Sequence, residues 1–384
     1  MSRQTQGDHR IRRIRAFGLP PVPFTETGGD RIGGPVPPDW SPWCLSIVTV
    51  ETNGGLVGTG SVYSDARLVA AALDVLEPLY RGELATEPAR VSAKLRNQAA
   101  WLGGGAVDHT SSAIDIALWD LLGQAADQPV GRLLGGRYRD RVRPYASIMA
   151  SDPAGLRSRL EELSARGFSA FKFRAPFGIS DSRDESLLRA AREAVGNDAA
   201  LMVDVGGSDA FWQHGYMWAT RMADMAAEYR VSWLEEPLRP DALDDYCRLR
   251  DRSRIPIAAG EALVGRQAFR PFIEAGALDI VQPDVSRAGG LSEQRRIAES
   301  AEDHGLRYVG HGSYTAIGLA ADLQLASAMP GTDLVEFEVD SPFLGQLCQE
   351  PVELDQDGML PIPDHPGLGV SLRPGVLDGA AAAT

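Results

Sequence analysis

The stretch Val231–Pro240, VSWLEEPLRP, sends four strand-like residues straight into two adjacent carboxylates. Val231 to Leu234 carry the β-branched and aromatic side chains of a buried strand. Pro237 then removes the backbone donor that a continuing strand needs. Charge placed where an apolar strand stops needs a reason, and the neighbouring segments supply it.

From Arg141 onward short apolar runs alternate with amphipathic helical runs. VRPYASI precedes a helix through PAGLRSRLEELSAR, FSAFKFR a helix from Asp181 to Val195, and AALMVDV a helix from Tyr216 to Tyr229. VSWLEE, IPIAAGE, LDIVQPD, LRYVGH and DLVEFE complete eight strand signals with seven helices between them. Each unit is long enough for a crossover, which predicts a parallel sheet. The fold class is therefore α/β, a modified (β/α)7β barrel of TIM type lacking its last helix. A doubly wound open sheet is the alternative, unusually large for this spacing.

The strand that ends on Glu235 now has company. Lys172, Asp204, Glu235, Glu261, Asp284, His311 and Glu336 stand at or just past successive strand ends, 23 to 32 residues apart. In a parallel barrel those ends converge on one rim, where the active sites of the fold lie. Any one of these charges alone reads as a surface loop charge; seven in register do not. Asp204, Glu235 and Glu261 make a hard-oxygen cage without Cys or His, which selects Mg²⁺, with Mn²⁺ as the alternative. Asp284 and His311 end adjacent strands, so the Asp can fix the imidazole tautomer and give a general acid/base. Lys172 and Arg174 alternate along one strand and point the same way, offsetting the charge of the cage.

Residues 1–140 read as an α+β capping domain, 141–348 as the barrel, and 349–384 as a segment returning to the cap. Cys44–Tyr63 is a hairpin turning at Asn53-Gly54-Gly55, and HRIRRIRAFGL alternates like an edge strand rather than a targeting peptide. Ala113, Ala117, Leu118 and Leu121 share a helix face, with Gly123 and Pro129 expected to break that helix. WLGGGA lacks the Lys-Ser/Thr of a phosphate loop and reads as a turn.

An apolar fraction of 44% suffices for a large core. A net charge of −14 argues against nucleic acid or an anionic membrane as the partner. No apolar run reaches the roughly 20 residues of a membrane span. Cys44, Cys247 and Cys348 are scattered, which predicts a reduced, cytoplasmic protein.

KFR, VDVGG, WLEEPL, AAGEAL, VQPDVSRAGG, VGHGSYTAIG and LVEFE, in that order, resemble the motifs of the enolase superfamily, mandelate racemase subgroup. AIDIALWDLLGQ and PVGRLLGG extend the resemblance into the cap. It implies abstraction of the proton α to a carboxylate, with a Lys or His base and Mg²⁺ holding the ene-diolate. It implies Asp204, Glu235 and Glu261 as metal ligands, Glu236 standing behind Glu235, and Asp284–His311 as the dyad. Glu336 matches the acid that hydrogen-bonds the substrate carboxylate, with Glu338 as its competitor. PFTETGGDRIGG resembles a loop that closes over the barrel, offering Thr25, Glu26 and Arg31 to a hydroxylated substrate and Phe24 to an apolar one. His214 and Trp212, in the loop after the third barrel strand, are further contact candidates. The resemblance also implies a homo-oligomer acting on a small-molecule carboxylate.

Two departures matter. The subgroup has Lys-x-Lys where this chain has Lys172-Phe173-Arg174, and arginine stays protonated. Arg174 therefore suits binding a carboxylate or hydroxyl oxygen, not accepting a proton. Racemisation needs a base on each face of the enolate, whereas elimination of a β-hydroxyl can run with one group as base and then acid. The expected reaction is dehydration of a sugar acid to a 2-keto-3-deoxy acid with His311 as base. Lys172 is the alternative base if Arg174 lowers its pKa, and epimerisation by Lys172 with His311, or a silent carboxylate-binding relative, are the competing readings. A cycloisomerase is not expected, because that branch usually has Lys where His311 stands. The second departure is Gly206, where the family often has Asn, which bears on substrate contacts.

Overall fold

A computed structural model of the chain describes residues 8–20, 45–102, 105–150, 152–206, 215–312, 314–350 and 352–378. Three antiparallel strands come first: β1 (Ile11–Gly18), β2 (Ser46–Thr52) and β3 (Val57–Val62), paired in that order. β1 lies on the edge, with Arg12, Arg13 and Arg15 outward and Ile11 and Ile14 buried. The odd spacing of the two isoleucines is accommodated by a register shift between Ile11 and Arg13. Asn53, Gly54 and Gly55 make the β2–β3 turn.

Helices α1 (Ala66–Tyr80), α2 (Pro88–Leu102) and α3 (Ala106–Ala126) follow, then the short α4 (Val130–Leu133). Ala113, Ala117, Leu118 and Leu121 are fully buried against the sheet, together with Val48, Val50 and Leu76. Gly123 does not break α3. The helix runs on to Ala126 and stops at Asp127, whose φ of 53° is left-handed. A Cβ at Gly123 would lie 2.5 Å from the Cα of Gly367, so the glycine admits the chain's tail.

The parallel barrel occupies the next two hundred or so residues. Its strands and helices alternate as β4 (Arg141–Met149), α5 (Pro153–Ala165), β5 (Ala170–Arg174), α6 (Asp181–Val195), β6 (Ala200–Asp204) and α7 (Tyr216–Glu228). They continue as β7 (Leu234–Glu235), α8 (Leu243–Arg252), β8 (Ile257–Ala259), α9 (Gly265–Glu274), β9 (Ile280–Val281), α10 (Gly290–Asp303), β10 (Arg307–Tyr308), α11 (Ala316–Ala328) and β11 (Leu334–Glu338). Neighbouring strands pair in parallel in the order β10-β9-β8-β7-β6-β5-β4-β11, so the sheet curls until the last strand lies beside the first. Eight strands with seven helices between them make the (β/α)7β architecture.

The barrel has two cores. Leu156, Phe173, Leu188, Val203, Ile257 and Leu323 belong to the shell between strands and helices. A smaller cluster fills the interior with Tyr145, Ala170, Met202, Trp233, Ala258, Ile280, Val309 and Leu334, one residue for each strand and all buried. This is the layer of inward side chains that makes a barrel a packed core and not a pore.

After α12 (Phe343–Gln346) the tail adds β12 (Leu360–Pro361) antiparallel to β4 before reaching the cap. There Leu368 N–H donates to Asp120 Oδ1 at 3.0 Å, and Val130 N–H to the Gly367 carbonyl at 2.9 Å. α3 also docks directly on α10, where Trp119 Nε1 donates to Ser292 Oγ at 2.9 Å. Among the described residues no helix is long and apolar enough to cross a membrane.

Candidate active site

Side chains two apart on a strand share a face. Two residues beyond the apolar layer, the barrel strands and their ends present Ser147, Lys172, Asp204, Glu235, Gln282, His311 and Glu336, all buried. Chemistry thus begins one pleat above the core, on the same inward face. Glu261 stands apart from this register. It follows Gly260, whose φ of +136° turns the chain so that the next side chain meets the others.

Asp204, Glu235 and Glu261 each offer an oxygen, and these atoms lie within 4.8 Å of one another. All three side chains are buried, and burial pushes Glu235 up to about 7 against the pull of Lys172. Three buried hard-oxygen donors short of positive charge fit a divalent cation such as Mg²⁺. Trp233 Nε1 and Gln282 Nε2 both donate to Glu235 Oε2 at 2.9 Å and fix that carboxylate. Glu236 stands behind it with a left-handed φ of 49°, its Oε1 accepting from Gly260 N–H at 2.8 Å. A Cβ on Gly206 would lie 1.8 Å from the Glu236 Cβ, so the glycine at this departure from the family pattern is what seats Glu236.

The cations face the cage. Lys172 Nζ lies 2.5 Å from Glu235 Oε1, 2.7 Å from Glu336 Oε1 and 3.4 Å from Asp204 Oδ2. Arg174 Nη2 lies 2.6 Å from Asp204 Oδ2 and 3.7 Å from Glu261 Oε2. The expectation that Arg174 lowers the Lys172 pKa does not hold. Burial pulls Lys172 down, but Glu235 and Glu336 outweigh it and hold the ammonium well above its ordinary value.

His311 Nδ1 sits 3.0 Å from Asp284 Oδ2, and His311 Nε2 sits 2.8 Å from Glu261 Oε2, so the imidazole bridges dyad and cage. Burial alone would depress it; Glu261 and Asp284 override that and raise it well above the usual imidazole range. Asp284 is held below its ordinary value despite burial, by His311 and by Arg287, whose Nε lies 3.7 Å from Oδ2. Ser286 adds its N–H at 2.7 Å and its hydroxyl at 2.6 Å. Arg287 lies over the ring of the cap residue Tyr63, which packs against Tyr314 above the dyad.

Glu336 accepts from Gly312 N–H at 2.6 Å and Tyr145 hydroxyl at 3.2 Å in addition to its Lys172 contact. Glu338, two residues nearer the mouth, is also buried but makes no such contacts with Lys172, so the two acids occupy different places. Thr25, Glu26, Phe24, Arg31, His214 and Trp212 lie outside the described residues. The sequence reading passes over Trp233, Gln282, Tyr145, Tyr63, Tyr314 and Arg287. The first three were legible in principle from the inward period of two; the others depend on how the cap meets the barrel.

Residues 155–376 match the model of the enolase C-terminal domain-like family, and residues 42–135 that of the mandelate racemase / muconate lactonizing enzyme N-terminal domain. The chain is 36% identical over 347 residues to a D-galactarolactone cycloisomerase of Agrobacterium fabrum, covering 85% of this chain and 88% of that protein. It is 32% identical over 351 residues to a D-xylonate dehydratase of Haloferax volcanii, covering 86% and 83%. The crystal structure of the 3,6-anhydro-D-galactonate cycloisomerase from Zobellia galactanivorans superposes with a TM-score of 0.83 at 27% identity, over 97% of this chain and 99% of that one. With both halves matched and the fold shared end to end, the chain belongs to the mandelate racemase / muconate lactonizing enzyme family of the enolase superfamily and is an enzyme of the lyase kind.

Proposed function

We propose that this protein dehydrates a sugar acid, an aldonate or an aldarate, to a 2-keto-3-deoxy acid. The observation that carries the reading is the asymmetry around the cage. On one side His311 presents Nε2 to Glu261, oriented from behind by Asp284. On the other side stands Arg174, a guanidinium that stays protonated and offers no base, against Asp204 and Glu261. Elimination needs one base; epimerisation needs two. Asp204, Glu235 and Glu261 would hold Mg²⁺, which supplies positive charge to an ene-diolate and takes up carboxylate charge that otherwise falls on His311 and Arg174. His311 removes the α-proton, Asp284 keeps its imidazole in orientation, and Lys172 and Glu336 lie where a substrate carboxylate is received.

The named relatives include a sugar-acid dehydratase, which supports this reading. Two named cycloisomerases act on cyclic sugar acids, which favours a second one: the same α-proton abstraction with a ring oxygen as leaving group. The test is incubation with Mg²⁺ and a panel of aldonates, aldarates and their lactones in D₂O. Keto acid formed by the native chain and lost in His311→Asn supports dehydration. Deuterium in recovered substrate without keto acid, from the native chain, overturns it in favour of epimerisation. Turnover confined to lactones transfers the chemistry to ring opening.

A further inference from the structure

Elimination also needs a proton for the departing oxygen, and among the described residues Glu338 is a buried acid of the chamber without an assigned task. It follows Glu336 by two residues on β11, so both side chains face the barrel interior. The strand rise places Glu338 about 6.6 Å nearer the mouth. A substrate whose carboxylate is received at Glu336 must run its remaining carbons in that direction. Glu338 is only 7% exposed. The charges acting on it come from Glu336, Lys172, Asp340 and Arg174.

We propose that Glu338 is the general acid that protonates the leaving oxygen of the substrate. The proposal rests on the sugar-acid elimination reading. His311 takes the proton from the α-carbon, and the C–H electron pair moves into the carboxylate. The pair then returns to form the α,β double bond as the β-carbon–oxygen bond breaks. The oxygen leaves with the Glu338 proton, as water or as a ring-opened hydroxyl. Glu338 is left as a carboxylate and regains its proton from solvent; the enol becomes the 2-keto acid by taking a proton at the β-carbon and releasing its hydroxyl proton, and His311 gives up the α-proton to solvent.

Among the described residues the alternatives are weaker. His311 already takes the α-proton as the base. Lys172 is clamped by Glu235 and Glu336, and Arg174 does not give up a proton. Tyr314 is pushed well above the ordinary phenol range by burial and by Glu338 itself. Burial, then the charge of Glu336, brings Glu338 up to about 8, so at neutral pH it carries the proton to be given.

Glu338→Gln keeps the shape and a hydrogen-bond donor but has no proton to transfer. With Mg²⁺ and a substrate identified on the native chain, keto acid formation in D₂O is expected to fall about 100-fold or more. Deuterium in recovered substrate is expected to rise, because His311 still forms the enolate and it can only return. Glu338→Asp, which keeps an acid, should regain part of the loss, and thermal unfolding of both variants separates chemistry from folding. Elimination within fivefold of native in Glu338→Gln, or loss of deuterium exchange in parallel with elimination, overturns the assignment. A native chain that exchanges deuterium but forms no elimination product overturns the sugar-acid reading itself.

Discussion

The barrel holds two rings of side chains one pleat apart, and they could hardly differ more. Tyr145, Ala170, Met202, Trp233, Ala258, Ile280, Val309 and Leu334 form a dry plug. Two residues on, Ser147, Lys172, Asp204, Glu235, Gln282, His311 and Glu336 form a ring of polar and charged groups buried nearly as deeply. Strand and face are the same for both. What differs is whether each buried group finds a partner. Apolar side chains stabilise by leaving water, whereas charges at that depth persist only when opposed by others. The upper ring meets that condition with Lys172 and Arg174 set against three cage carboxylates and Glu336.

Moving a charge across the boundary should have the largest effect. Ala170→Lys places an ammonium in the plug, one pleat below Lys172 and away from the cage. The cost of an unpaired buried charge, on the order of 5 kcal/mol or more, approaches the stability of a whole domain. Loss of soluble, folded protein by circular dichroism is the expected outcome; a folded variant would show that the lower ring tolerates charge and erase the distinction.

Lys172→Met tests the upper ring from the other side. With its cation gone, the carboxylate cluster should cost about 3 kcal/mol in metal-free protein, read by urea unfolding in chelator. Added Mg²⁺ should stabilise this variant more than the native chain, since the ion then supplies the missing charge. Equal stability with and without Lys172 would mean the carboxylates already relieve themselves by protonation.

The two rings were unequally legible in the sequence. Glu235, Asp204, His311 and Glu336 announce themselves because charges at the ends of apolar runs break the pattern that surrounds them. The (β/α)7β order follows from the same alternation. The plug residues carry no such mark: Trp233 and Met202 read simply as strand interior, although the same period of two that aligns the charges aligns them. Glu261 is legible from its place just past a strand end, but its inward aim is not, since Gly260 turns the chain out of the strand's alternation. Gly123 was misjudged because a helix breaker and a seat for Gly367 look alike until the tail's position is known. Tyr63 and Arg287 come together only when the cap is laid on the barrel, a contact across more than two hundred residues that no local pattern encodes.

Glu338 belongs to the upper face, and burial together with the charge of Glu336 gives it its own pH signature. Its folded pKa of about 8 lies above the ordinary 4.5, so the native state holds its proton more tightly than the unfolded chain. Stability from this group is present below about 4.5 and lost as pH rises toward 8, on the order of 2–4 kcal/mol across that window. The slope of unfolding free energy against pH should therefore be shallower in Glu338→Gln than in the native chain. Parallel slopes would show that Glu338 is solvated and ionised like a surface acid.

The smallest change probes one residue that joins the two rings, as Tyr145 also does through its hydroxyl to Glu336. Trp233 belongs to the plug, meeting Tyr145 edge-on with ring centroids 5.5 Å apart, yet its N–H reaches up to Glu235 Oε2 at 2.9 Å. Trp233→Phe keeps a ring in the plug and removes that donor, leaving Gln282 alone on the oxygen. A loss of about 1–2 kcal/mol is expected from a hydrogen bond to a charged group. Mg²⁺ affinity by calorimetry should weaken about tenfold, because the carboxylate is no longer held in place from below. If stability falls while metal affinity stays the same, Trp233 is packing only and the rings are independent. If both fall together, the core below is part of what aims the site above, and the boundary between the rings is chemical rather than mechanical.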